Sequence, residues 1–269
     1  GGYGWVEILG RTRLEPGYEG TRYHEFSVPN GGVVVEGGVN YIRLNYFPDG
    51  GVARLKVWGE ADSSSSEGEN ALVDFAAHEN GGWGVGCSNR HYGEPSNLSK
   101  AGRGVDMSDG WETARHSNRP PVLEYIKGTE LVDFGGLTDW AVIELGGVAE
   151  KGVEMIVVDT AHFKGNFPES VKVEGCFLNH RGGYGDGEKD DDFVCRPPGE
   201  DDHVGWFVLL DRVRVTAHSI HTFQKEIVNK DKKVSHVRVT IYPDGGLSRL
   251  RIFGKGPIKK QKSFQRSNL

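Results

Sequence analysis

The chain of 269 residues has only three cysteines, Cys87, Cys176 and Cys195, widely spaced and without a Cys-x-x-Cys pair. That excludes a disulfide framework and points to a reducing compartment. No apolar run reaches the length of a membrane span. Positive charge is not in surplus: 32 Lys and Arg against 38 Asp and Glu leave a net charge of −6. Neither nucleic acid nor an anionic membrane is therefore expected as a partner. No Gly-X-Y period runs through the chain, which excludes collagen. His-Glu-x-x-His, His-x-His and Asp-x-His-x-Asp are all missing, so no standard metal motif is present. Gly-x-Ser-x-Gly is missing too, and Gly182-Gly183-Tyr184-Gly185 lacks the strand-to-helix setting of a phosphate loop.

Glycine is what the chain has in excess, 40 of 269 residues, where an ordinary chain carries about 7 %. Each glycine inside a helix costs about 1 kcal/mol against alanine, so long helices are disfavoured. With 36 % hydrophobic and 10 % aromatic residues there is enough to build a core. The expectation is an all-β protein of short strands and tight turns.

Alternation supports this. Trp5 to Leu9, Tyr23 to Val28 and Val33 to Val35 alternate like strands. Tyr41 to Phe47 runs through Pro48-Asp49-Gly50-Gly51 into Val52 to Trp58, and Asp-Gly between alternating runs predicts a hairpin. Its polar face would carry Arg43, Asn45, Arg54 and Lys56, either solvated or paired across the strands, or serving an anion or subunit contact. Val237 to Gly254 repeats this pattern around Pro243-Asp244-Gly245-Gly246, and Trp206 to Leu210 echoes Trp5 to Leu9. Two arginines stand eleven residues apart in each copy, 43 and 54 against 238 and 249. About 135 residues separate the polar 61–70 segment from Trp206, but only four precede Trp5. Residues 1–60 therefore read as the back half of a domain whose front strands are absent or supplied by another segment or copy. Strands are expected at 140–146, 153–158 and 171–174. Residues 181–205, with eight acids and three bases, read as a long solvated loop.

Three polar clusters stand out: Asn89 to Asn97, including His91; Asp106 to Thr113; and Asp159 to Pro168, which follows the apolar run Ile156-Val157-Val158. Carboxylates and an imidazole in loops at strand ends suit acid–base chemistry near neutral pH. Equally, Asp159 and Asn166 are fit to bond turn backbone, and His162 to sit buried and satisfied. Cys87 and Cys176 read as small buried residues rather than nucleophiles.

In this order, Asp109-Gly110-Trp111-Glu112-Thr113, Asp159-Thr160-Ala161-His162-Phe163-x-Gly165-Asn166-Phe167-Pro168 and the two Pro-Asp-Gly-Gly-x-x-Arg turns resemble the allantoicase family. The resemblance implies tandem jelly-roll β-sandwich repeats of the galactose-binding-like kind, the first lacking its N-terminal half. It maps 1–60 to the end of the first repeat, 61–70 to a linker, 71–255 to a complete second repeat and 256–269 to a basic tail. Residues 117–136 look like an insertion. The implied activity is a hydrolase of linear amidines, converting allantoate and water to ureidoglycolate and urea in purine breakdown. On that mechanism Asp109, Glu112, Asp159 and His162 become the catalytic candidates. Asp159 would orient His162 or bind substrate, and Asn166 would position it. Trp111 would wall the pocket, His91 would add to substrate binding, and Arg115 or, second, Arg249 would hold the substrate carboxylate. No cofactor is assigned, and a divalent metal has no motif behind it. A homo-oligomer is expected. The location is cytoplasmic, with Ser267-Asn268-Leu269 a loose match to a peroxisomal Ser-Lys-Leu ending. The competing reading is a non-catalytic β-sandwich module that binds sugar or protein.

Overall fold

The computed structural model describes residues 5–27, 42–52, 55, 57, 71–178, 195–198 and 204–256. All strands among them lie in the second of the two units into which the chain divides, Gly1–Asp62 and Ser63–Leu269. Arg54, the 61–70 linker, most of 181–205 and the tail beyond Gly256 lie outside the described residues.

In the second unit the longer strands are β1 (Leu72–Asp74), β2 (Trp83–Cys87), β6 (Asp139–Ala149), β7 (Met155–Asp159), β8 (Ser170–Cys176), β9 (Phe207–Arg214), β10 (Ile220–Phe223), β11 (Val234–Tyr242) and β13 (Arg249–Lys255). Between them lie the two-residue strands β3 (Trp111–Glu112), β4 (Glu124–Tyr125), β5 (Val132–Asp133) and β12 (Gly246–Leu247). A four-stranded antiparallel sheet, β1-β13-β7-β10, faces a five-stranded one, β2-β6-β11-β8-β9, as a jelly-roll β-sandwich. The period-two residues close the core: Ile143 of β6, Val239 of β11 and Val173 of β8 meet Ile156 of β7 and Leu250 of β13. Each such side chain contributes about 1.5–3 kcal/mol on full burial. Within the predicted 117–136 insertion, β4 and β5 pair as a small hairpin.

The outer face of the five-stranded sheet is covered as well. Trp140, Val142 and Cys176 form a second apolar layer with Val204. In this layer Arg238 lies 4.5 Å over the Trp206 ring and, opposite Glu174 in register, donates to its carboxylate at 3.1 Å. The arginine expected on a polar sheet face is thus paired across strands, but buried.

The expected hairpin over 237–254 does not form. β11 takes its ladders from β6 and β8, whereas β13 takes its own from β1 and β7. Pro243 to Gly246 carries the chain from one sheet to the other. Alternation reports which face of a strand is buried, not which strand lies beside it, so a sandwich corner and a hairpin read alike. Gly245 has φ +134°, and a Cβ there would stand 2.6 Å from the Asn166 carbonyl oxygen. Glycine is required at this corner on both counts.

The first unit keeps the corner but not the strands. Gly50 has φ +136°, and Phe47-Pro48 is cis, as Tyr242-Pro243 is. Arg43 lies 4.3 Å over the Trp5 ring, the same partnership as Arg238 and Trp206. Residues 5–27 and 42–52 nonetheless carry no strand, and Ile42, Leu44 and Tyr46 are exposed. In the second unit the corresponding run, β11, is held between two neighbours. The described residues of the first unit offer 42–46 neither, and an unflanked ribbon is marginal in water.

Candidate functional site

Polar side chains collect at one end of the sandwich, where β7 ends, β13 and β6 begin and β11 turns its corner. The floor is the pair β3 and β12, with Glu112 opposite Gly246 and Trp111 opposite Leu247. Period two sends adjacent residues to opposite faces. Trp111 is fully buried in the core, its Nε1 donating to the Asn89 carbonyl at 2.9 Å. It therefore supports the floor from below and does not wall a pocket. Glu112 is half-buried, and its Oε1 accepts from Asn166 Nδ2 at 2.6 Å. Phe163 packs beneath this floor: a Cβ on Gly246 would overlap its ring, and one on Gly110 would come within 2.9 Å. Gly110 is therefore needed for close approach rather than for a turn.

Beside the floor runs the loop from Pro95 to Asp109. Leu98 anchors it in the core, and Arg251 on β13 donates to the carbonyls of Ser99, Lys100 and Gly102. Arg249, also on β13, donates to Asp109 twice: Nη1 to the carbonyl and Nη2 to Oδ2, each at 2.7 Å. Lys100 Nζ takes the other oxygen at 2.6 Å. Burial raises the Asp109 pKa, but the bonds from Lys100 and Arg249 outweigh it and hold it at about 2. Asp109 is thus a fixed anion, and Arg249, 3 % exposed, is taken up by it rather than open to a ligand.

Asp159 closes β7. Its buried carboxylate receives the fork of Arg103 at 3.0 and 3.2 Å and the Ala161 N–H at 2.8 Å. It makes no hydrogen bond to His162, so the expected orienting contact is replaced by Arg103. His162 is held otherwise. Its ring Nε2 lies 2.8 Å from the Gly104 carbonyl, and its N–H donates to Nδ1 of His218 at 2.8 Å. Both histidines adopt positive φ, +71° and +50°, a conformation that costs a non-glycine residue about 1–3 kcal/mol and clusters at functional sites. His91 is exposed, edge-on to Tyr92 at 4.4 Å, with its N–H on the Glu112 carbonyl. Arg115 is exposed, with no ion pair or hydrogen bond among the described residues.

Across the corner lies a second polar group that the motifs did not single out. Asp244, 3 % exposed, takes the fork of Arg119 and accepts the His116 N–H at 2.9 Å. His116 Nε2 stands 3.3 Å from Oδ2 of Asp139, whose Oδ1 accepts from Ser88 Oγ at 2.7 Å. A signal is present in the sequence: His116 and Arg119 stand three and six residues after Thr113, and Asp244 is in the turn motif, where Asp reads as a turn former. Arg103 has no local signal because its partner, Asp159, is 56 residues along the chain, and Lys100 meets Asp109, nine residues on, only through the fold of the loop between them. Burial pushes the Cys87 thiol up, away from thiolate chemistry. Among the described residues, no three His, Cys, Asp or Glu side chains converge as a metal would need.

The family model of the allantoicase repeat matches residues 2–62 and 73–257. A probable allantoicase of Pseudomonas fluorescens is 37 % identical over 252 residues, covering 93 % of this chain and 63 % of that protein. One from Acinetobacter baumannii is 37 % identical over 254 residues, covering 94 % and 63 %. The crystal structure of allantoicase from Saccharomyces cerevisiae superposes with a TM-score of 0.49 at 36 % identity, covering 68 % of this chain and 43 % of that one. The chain thus spans less than two thirds of the length of these curated relatives. With both of its segments matched, the chain belongs to the allantoicase repeat family.

Proposed function

We propose that the protein hydrolyses allantoate to ureidoglycolate and urea. Family membership supports this, and so does the chemistry of the floor. The observation that carries it is the Glu112–Asn166 pair, 2.6 Å apart and half-buried at the polar end. A ureido group offers N–H donors beside a carbonyl acceptor. A carboxylate with an amide at hydrogen-bond distance is the complement of that pattern.

Allantoate carries two ureido groups and a carboxylate on one carbon. Glu112 and Asn166 bind one ureido group. Arg115, exposed and unpaired among the described residues, takes the carboxylate as a bidentate partner. Asp109, ionised and occupied by Lys100 and Arg249, holds the 95–109 loop in place and transfers no proton. The Arg103–Asp159 pair and His162 fix the opposite rim. Losing urea then requires a proton on the departing nitrogen and a water at the carbon it leaves.

Urea release from allantoate tests the proposal. Sustained turnover that falls at least tenfold in Glu112→Gln supports it. A shift in melting temperature with allantoate and no urea would identify a binding module instead.

A further inference from the structure

We propose that His116 is the proton-transfer residue of this site and that Asp139 is its positioning residue, an assignment that rests on the allantoate reading. His91, His116 and His162 lie around the floor and differ in what faces the ring: His91 is exposed against Tyr92, with no carboxylate beside it among the described residues. His162 has its Nε2 engaged by the Gly104 carbonyl. His116 has its Nε2 facing a carboxylate oxygen, Asp139 Oδ2, at 3.3 Å. Both of those atoms are buried, and neither makes a hydrogen bond, so each is left facing the other as its nearest charged or polar complement. The Asp139 side chain is 4 % exposed, while that of His116 keeps 29 % of its surface open.

The carboxylate facing the ring and the backbone that carries the ring are both held in place. Ser88 Oγ donates to Asp139 Oδ1 at 2.7 Å and also accepts the Trp140 N–H at 2.9 Å, so the carboxylate cannot swing. Asp244 Oδ2 holds the His116 backbone N–H at 2.9 Å, and Arg119 neutralises Asp244 through a two-bond fork. The charged groups tied to His116 are therefore Asp139 at the ring and Asp244, with Arg119, at the backbone; Arg115 precedes it in the chain. With Nε2 turned toward the buried carboxylate, Nδ1 is the nitrogen left for exchange with substrate.

The corner places this dyad at the floor. Gly246 pairs with Glu112, Gly245 accepts the Thr113 N–H at 2.9 Å, and Asp244 accepts that of His116. Residues 112 to 116 thus wrap the corner that carries the ureido-binding pair. In the reaction, the His116 imidazolium gives its proton to the departing ureido nitrogen. The C–N bond breaks with its electron pair going to that nitrogen, and neutral urea leaves. The remaining nitrogen's lone pair forms a C=N bond to the carbon. Water then bonds to that carbon through oxygen, the C=N electrons return to nitrogen, and the proton lost by the water goes to neutral His116. Ureidoglycolate forms and the imidazolium is restored.

The test measures urea release by wild type, His116→Gln, His116→Gly and Asp139→Asn, each checked for an unchanged melting transition. Expected are a kcat loss of about 10²–10⁴-fold in His116→Gln, with KM within threefold, and partial rescue of His116→Gly by added imidazole. Asp139→Asn should lose about tenfold in kcat and move the pH profile, which a purely structural carboxylate would not do. If the His116 variants fail to fold, ¹³C-labelled histidine spectra of the wild type decide: the His116 ring signal must shift on adding allantoate, and an unshifted signal overturns the assignment. A folded His116→Gln within threefold of wild type overturns it while leaving the allantoate reading intact. A wild type that releases no urea removes both.

Discussion

Arg249 reaches from the first residue of β13 to Asp109, 140 positions earlier, and binds it through both the carbonyl and the carboxylate. A side chain 3 % exposed thereby clamps a loop that touches the candidate site at Gly104 and Met107. Removing the carboxylate leaves the buried guanidinium uncompensated. Asp109→Ala is expected to cost about 3–5 kcal/mol, the range for breaking a buried ion pair. Asp106→Ala, at an exposed residue of the same loop, should cost far less. Denaturant unfolding of the two variants checks this, and equal losses would refute the clamp. With its pKa held at about 2, below the ordinary 3.8, Asp109 contributes fully at neutral pH. Its contribution fades only as the pH falls from that ordinary value toward 2.

Asp74 carries the opposite sign. Burial raises its pKa from 3.8 to about 6, over the opposing N–H bonds from Ile252 and Ala76 and the charge of Arg251. A raised pKa means that the folded state favours the protonated form. The contribution to stability is therefore complete below 3.8 and lost as the pH rises through 6. Asp74→Asn does not titrate and keeps an oxygen for both backbone donors. Its melting temperature should match wild type near pH 4 and exceed it by about 5 °C at pH 7. A constant difference across that range would rule out the titration.

Gly246→Ala places a methyl group into the Phe163 ring beneath the floor. Overpacking of this kind costs about 1–3 kcal/mol, and the displaced floor carries Glu112 with it. The expected outcome is lower stability together with a raised KM for allantoate. Pairing it with Phe163→Leu should recover part of both, and a double variant no better than the single one would separate the ring from the effect.

Asp244→Asn keeps the volume of the corner but gives up the charge opposite Arg119. With Asp244 3 % exposed, the loss should be about 3 kcal/mol, and the 113–119 segment should gain hydrogen exchange. Protection factors of Thr113 and His116 read this directly. Unchanged protection there would show that the segment is held by other contacts.

The sequence-based reading succeeded where period two and glycine placement decide. β6, β8, β11 and β13 fall on the alternating runs because one face of each enters the core. It failed where the neighbour matters. The run 237–254 alternates on both sides of Asp-Gly, yet its halves belong to opposite sheets. At the candidate site, the sequence groups residues by motif, whereas their hydrogen-bond partners are set by the fold. Asp159 was paired with His162 three residues on, while the structure pairs it with Arg103, 56 residues away. Arg249 was read as a ligand for substrate because arginine suits a carboxylate; the carboxylate it holds is Asp109. Only packing distinguishes an arginine that waits for substrate from one already spoken for.

The corner at Pro243–Gly246 is the only stretch through which β11 hands the chain on to the opposite sheet, and Glu112, Thr113 and His116 all bond to it. A shift of this corner would therefore reach all three residues through those pairings. Trimming the core just behind the corner, as in Ile241→Val, becomes a way of tuning affinity from within the sandwich, by changing no group that a substrate can touch.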